Sequence, residues 1–338
     1  MSYQALIERL TSLGISFQRD CPIAPHTTFR IGGEADLLCV IESLPELHDT
    51  IIACNSHHIP YKIIGGGSNI LVSDKGYRGL IIINKAKDWE ILEDAEIPEL
   101  KSTALARHRA EDVVTPLEER QNKVIVRIAS GIKIPTLMNQ LLKVDISGLE
   151  LFAGIPATVG GATYMNMHGA KLFFGDLIAQ AQLLSNGEVK NVSQEYFQFD
   201  YDYSILHETQ ETVLSCDLVL TQGQSKEAKA LAKEWIMKKK NQPQRSAGCL
   251  FHNLTNEQQE KLGYPTPSIG YVIDKVLGLK GKTIGGAKIS EGHAAFIENT
   301  GKATAEDVLK LINEIKKQML LKTGIVLQSE IEFVGELN

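Results

Sequence analysis

A chain of 338 residues with a formal net charge of −6 and 43% hydrophobic residues has room for two or three domains and an ample core. The acidic balance argues against a nucleic-acid or anionic-membrane partner, and no apolar run approaches the roughly 20 residues of a membrane span. Five scattered cysteines (Cys21, Cys39, Cys54, Cys216, Cys249) lack metal-ligand spacing and read as reduced thiols of a cytoplasmic protein, with no disulfide framework and no metal site.

Met1–Phe17 sets Leu6, Leu10 and Leu13 at helical spacing and lacks a signal peptide's basic start and apolar core. Leu37–Ile41 is an apolar strand, and Ser43 with Glu46 three residues on opens a helix. Ile63–Val72 holds Gly65-Gly66-Gly67-Ser68-Asn69 between β-branched runs. This strand–loop–strand suits a pyrophosphate held on bare backbone N–H groups; a tight turn is the plain alternative. Neither the Rossmann nor the P-loop spacing is present. Gly79–Asn84 is a further strand. Lys85–Asn122 is polar without sustained apolar period and reads as a surface insertion. Val124–Ala129 resumes the sheet, and Ile134–Leu142 is a short amphipathic helix.

The stretch Gly148–Ala170 carries Gly154, Gly160, Gly161 and Gly169 beside Pro156, Thr158 and Asn166. Its few charges and many N–H groups suit a loop wrapped around a large planar, phosphorylated cofactor, or a glycine-rich turn between buried strands. Asn186-Gly187, between Ala179–Leu184 and Val189–Val192, is a strong hairpin signal. A strand at Thr212–Thr221 precedes a helix over Ser225–Lys240, which ends in a lysine run, Lys238–Lys240. Such a run reads as a solvated, dipole-favoured helix end or as a phosphate contact. A final helix, Ala305–Leu321, and a closing strand, Ile325–Val334, end the chain.

Taken together, Thr27–Gly33, Gly65–Asn69, Gly154-Ile155-Pro156 through Gly160-Gly161, Asn166, Ser246–Cys249, Leu279–Gly281, Gly285–Ala287 and Glu330-Ile331 occur in one order over nearly the whole chain. In this the sequence resembles the UDP-N-acetylenolpyruvoylglucosamine reductases. The resemblance implies an α+β architecture: a two-subdomain FAD-binding module of the vanillyl-alcohol-oxidase type, and a C-terminal α+β domain that closes over the substrate. The corresponding boundaries are 1–84 and 123–223 for the FAD subdomains, 85–122 for the insertion and 224–338 for the substrate domain. It also implies a cytoplasmic enzyme, by default a monomer, acting on small molecules. NADPH reduces FAD, and the enolpyruvyl substrate then accepts hydride at C3 and a proton at C2 to give UDP-N-acetylmuramate, a peptidoglycan precursor.

Carried over residue by residue, Gly65, Gly66, Gly67, Ser68, Asn69 and Ile70 line the flavin, as do Gly154, Ile155, Pro156, Thr158, Gly160, Gly161 and Asn166. Cys249 maps onto the proton donor, where many relatives carry serine; a thiol is protonated at neutral pH yet far more acidic than a hydroxyl. Glu330 maps onto the second catalytic residue and falls on the strand face opposite Ile325, Leu327 and Ile331. Tyr201, Lys240 and Asn253 are the substrate-side positions, with a packed-core role the alternative for Tyr201. The pattern is broken where relatives read Tyr-Arg-x-Ser, because this chain has Tyr201-Asp202-Tyr203-Ser204. Aspartate repels a developing anion, so another cation takes that work, Arg245 being a candidate, or turnover is impaired. His252, Leu254, Ala295 and Ala170-Lys171-Leu172 are milder departures. Two rival readings follow: a same-fold sugar or alcohol oxidase, and a flavin- or UDP-sugar-binding relative without turnover.

Overall fold

The computed structural model describes residues 3–101, 122–169 and 172–336. Two compact units emerge, and neither is contiguous in sequence. One takes residues up to Phe17, Cys39–Gly66 and Ile82–Lys239; the other takes Gln18–Leu38, Gly67–Ile81 and the chain from Lys240 onward. The division cuts across the contiguous boundaries expected at 84, 122 and 223. The Ser225–Lys238 helix shows why, since it buries Ala228 and Ala232 in the core of the first unit rather than joining the C-terminal segment.

The first unit is built on an antiparallel sheet in which Glu188–Ser193, Ile178–Ser185, Thr212–Gln222, Lys123–Ala129 and Trp89–Leu92 lie side by side. Thr212–Gln222 is buried along nearly its whole length, as a central strand covered on both faces must be. Its Asp217 stands opposite Arg127 and receives both Nε and Nη2 at 2.8 Å, so the buried carboxylate is paired. The Asn186-Gly187 turn forms as expected, with φ of 50° and 88°. Ile134–Leu141 buries Ile134, Leu137, Met138 and Leu141.

One expectation is corrected here. The polar stretch 85–122 contributes an edge strand, Trp89–Leu92, which pairs with Lys123–Ala129. An edge strand needs only one inward apolar face. Trp89 packs against the core with its Nε1 donating to Gln140 Oε1, while Glu90 and Ile91 are exposed. Residues 102–121 of that stretch lie outside the described residues.

In the second unit the helix Ala305–Thr323 packs on a three-stranded antiparallel sheet of Thr283–Ile284, Ala287–Ile289 and Ile297–Asn299. The helix starts on a reciprocal Thr304–Asp307 cap and stops at Gly324, φ 73°. Phe29, Ile31, Leu71, Leu250, Phe251, Ile273, Leu311, Ile315 and Ile331 share its core. The closing strand is shorter than expected. Only Glu332–Val334 is regular, paired in parallel with Ile70–Val72. Alternation holds through buried Leu327 and Ile331, then reverses so that Val334 is buried and Phe333 exposed.

Candidate active site

In the first unit, Gly65 and the segment Gly154–Gly161 are neighbours. A Cβ on Gly65 would collide with Thr158 Oγ1 and stand 3.1 and 3.2 Å from its Cγ2 and Cβ. Thr158 is buried and caps the short Val159–Tyr164 helix by accepting the Gly161 N–H at 3.3 Å. Gly160 donates its N–H to the Ser130 carbonyl, and Ser130 Oγ accepts from Asn84 Nδ2 at 2.9 Å. Gly154, at φ 81°, opens the segment against the end of the Ser225–Lys238 helix. Gly154, Pro156 and Gly161 are exposed, and Gly65, Gly66, Ile155 and Gly160 half-buried. These bare, accessible backbones fit a large flat ligand carrying phosphates.

Asn166 sits differently from its expected role. It is fully buried at φ 44°; its Nδ2 donates to the Asp200 carbonyl at 2.8 Å and its Oδ1 accepts from Gly175 N–H at 2.9 Å. Its side chain frames the loop.

In the second unit, three expected pieces meet. Gly67, at φ 60°, lies so close to His26 that a Cβ would strike its carbonyl, and Thr28 N–H donates to the Gly67 carbonyl. Asn69 Nδ2 donates to the Glu330 carbonyl at 3.0 Å, and the Asn69 carbonyl accepts Glu332 N–H at 2.9 Å. Glu330 N–H donates to the Leu250 carbonyl at 3.0 Å, and Phe251 bridges Ser329. Cys249 and Glu330 therefore stand on two facing backbone pieces, the Glu330 piece bonded to Asn69 and the Cys249 piece bonded in turn to the Glu330 piece. Cys249 is half-buried, whereas the other four cysteines are buried, and none of the five forms a disulfide. Burial pushes the Cys39, Cys54 and Cys216 thiols up to about 12, which keeps them protonated and inert.

The substrate-side candidates are less uniform. Tyr201 is half-buried, its ring 5.0 Å from that of His168 and 6.2 Å from Phe173. Asn253 is exposed, but its Oδ1 accepts Ile269 N–H at 3.0 Å, at the start of the short Ile269–Tyr271 helix. Lys240 is exposed. Arg245 is exposed and its carbonyl accepts Asn299 N–H. Asp202, buried at φ 50°, places Oδ1 3.0 Å from His168 Nδ1 and leaves Oδ2 buried without a hydrogen-bond partner.

Sequence reasoning missed two residues, His168 and Lys239. Lys239 Nζ donates to the Ala153 carbonyl at 2.8 Å. His168 follows Asn166 by two positions, and Lys239 lies inside the lysine run. The only signal for either was its proximity to a marked motif.

Comparison with known proteins bears on the same residues. Residues 240–334 match the family model described as UDP-N-acetylenolpyruvoylglucosamine reductase, C-terminal domain. The chain is 34% identical to the UDP-N-acetylenolpyruvoylglucosamine reductase of Anoxybacillus flavithermus, covering 93% of this chain and 92% of that one. Against the protein of the same name from Bacillus subtilis the identity is 33%, over 93% and 92%. The crystal structure of the Thermus caldophilus reductase superposes with a TM-score of 0.69 at 27% identity, covering 95% of this chain and 99% of that one.

Proposed function

The chain belongs to the UDP-N-acetylenolpyruvoylglucosamine reductase family, and on that premise we propose how its residues divide the work. The enzyme is an oxidoreductase that reduces the enolpyruvyl ether of UDP-N-acetylglucosamine to UDP-N-acetylmuramate for peptidoglycan synthesis, with NADPH as reductant. Bound FAD supplies a ring that stores hydride between the two half-reactions.

Gly65–Ile70 and Gly154–Gly161 line that cofactor, and Thr158 and Asn166 shape the second segment. Cys249 gives its proton to C2 of the substrate, and Glu330 is the second catalytic residue beside the reacting enolpyruvyl group. Tyr201, Lys240 and Asn253 are the substrate-side residues. The observation that carries the assignment is the frame Asn69–Glu330–Leu250, which bonds the Glu330 segment to the glycine loop and the Cys249 segment in turn to the Glu330 segment. The 240–334 segment acts as the substrate domain. On this reading the enzyme works in the cytoplasm, as a monomer, on small molecules; none of its five cysteines forms a disulfide, as a reducing compartment favours.

Anaerobic stopped-flow spectroscopy tests the reading. The flavin-loaded protein is reduced by NADPH and then mixed with UDP-N-acetylenolpyruvoylglucosamine. Fast reduction followed by fast substrate-driven reoxidation is expected; a protein that binds no flavin refutes it. Asp202 motivates a second reading, a binding relative without turnover, because a buried carboxylate stands where the family pattern has arginine. Reduction without substrate-driven reoxidation would favour that reading.

A further inference from the structure

The lysine run divides three ways. Lys238 pairs with Glu234 at 3.0 Å and lies 4.3 Å over the Trp235 ring, and Lys240 is exposed. Lys239 turns inward. Its Nζ donates to the Ala153 carbonyl at 2.8 Å, and its Cδ would lie 3.3 Å from a Cβ on Gly154. The ammonium is thus half-buried at the opening of the Gly154–Gly161 segment. The elements packed against this helix carry Lys143 and Glu150, and the helix end carries Glu234, Lys238 and Lys240. Glu150 Oε2 accepts Gly148 N–H, Glu234 is taken by Lys238, and no carboxylate among the described residues pairs with Lys239. Burial alone pushes the Lys239 pKa down to about 8. An ammonium has three protons to donate; one goes to Ala153, and two can serve an anion. Even a partly buried cation without counter-charge is destabilising, and an anion arriving beside it relieves that.

We propose that Lys239 binds the diphosphate of the cofactor or of the nucleotide sugar, and that this binding is coupled to uptake of a proton by its amine. The proposal rests on reading Gly154–Gly161 as a cofactor segment. An anion at Nζ moves the amine back toward its ordinary value of 10.5. The bound state then holds more protons than the free state above about pH 8, so affinity falls as pH rises from there toward 10.5.

Calorimetry at pH 9 in two buffers of different ionisation enthalpy reads the coupling. FAD is titrated into the flavin-free full chain, and UDP-N-acetylglucosamine into the flavin-loaded protein. Uptake of most of one proton is expected in one titration, and which one identifies the diphosphate. Lys239→Arg should keep the affinity within about threefold and abolish the uptake, because a guanidinium never deprotonates here. Lys239→Met should abolish the uptake and weaken the same ligand roughly tenfold. A residue that only packs the loop does not separate these two variants. No uptake in either titration, or uptake undiminished in Lys239→Met, overturns the proposal. A chain that takes up no flavin overturns the cofactor reading as well, and its absorbance spectrum shows this before any calorimetry.

Discussion

Gly65→Ala puts a single methyl where the structure has no room for one. The new Cβ would collide with Thr158 Oγ1 and press on its Cγ2 at 3.1 Å and Cβ at 3.2 Å. Rotating Thr158 about χ1 moves Oγ1 but leaves its Cβ 3.2 Å from the new methyl, so a few tenths of an ångström must still be found. The strain therefore passes to the backbone of a buried residue, which also stands to lose its cap on Gly161. Overpacking costs about 1–3 kcal/mol, and a lost threonine cap about 1 kcal/mol. Roughly 2 kcal/mol expressed in loop geometry corresponds to roughly 30-fold in FAD affinity. Flavin fluorescence titration of the flavin-free protein measures this, and thermal unfolding of the same samples separates affinity from global stability. Thr158→Ala alone should weaken FAD by about the value of the cap. The double variant should lose less than the sum of the two, because the second change removes atoms the first one hits. Unchanged FAD affinity in Gly65→Ala, or strictly additive losses, would refute the argument.

Cys249→Ala should leave NADPH-driven flavin reduction intact and slow substrate-driven reoxidation by about 10²–10⁴-fold, with Cys249→Ser retaining part of the rate; stopped-flow traces of both half-reactions decide it. Arg245→Ala should slow reoxidation without changing FAD binding if Arg245 replaces the family's arginine, and an unchanged rate removes it from that role. Glu211 predicts an acid-labile spot. Burial raises its pKa, but hydrogen bonds from Lys190, Ser185, Tyr196 and Thr209 outweigh this and hold it at about 2. A depressed carboxylate contributes stability that is present above its unfolded value of 4.5 and lost as pH falls toward 2. Thermal unfolding across that window should lose part of its pH dependence in Glu211→Gln.

Much of the fold was legible where local chemistry decides it. The Asn186-Gly187 hairpin, the Ser43 cap accepting Glu46 N–H, and the Gly324 stop of the last helix are each set by a residue or two. The glycine clusters were legible as bare backbone, and Gly65 and Thr158 do meet. The interleaving of the two units was not legible, because contiguous sequence carries no record of which strands pair at long range. Trp89–Leu92 escaped notice because an edge strand of four residues shows too little alternation. The side chains of Asn166 and Asn253 look like ligand contacts by motif, yet hydrogen bonds to backbone engage them. Lys239 was hidden by its neighbours: a lysine run predicts solvent, and only packing against Gly154 selects the one that turns inward.

The break at Asp202 has a local partner, which changes how it should be understood. Asn166 Nδ2 donates to the Asp200 carbonyl, and Ser204 Oγ donates to the Tyr164 carbonyl, so the 200–204 turn is pinned at both ends to the 164–168 segment. Asp202 lies between those pins in the left-handed region, which aspartate tolerates better than most side chains. Its carboxylate folds back 3.0 Å from His168 Nδ1. In sequence, His168 stands two residues before Ala170-Lys171-Leu172, another departure from the family pattern. A carboxylate with one buried oxygen unpartnered is destabilising alone, and the histidine offsets part of that cost. The two positions form one physical unit, so replacing Asp202 by arginine while His168 stays would set a cation against the imidazole rather than restore the family site.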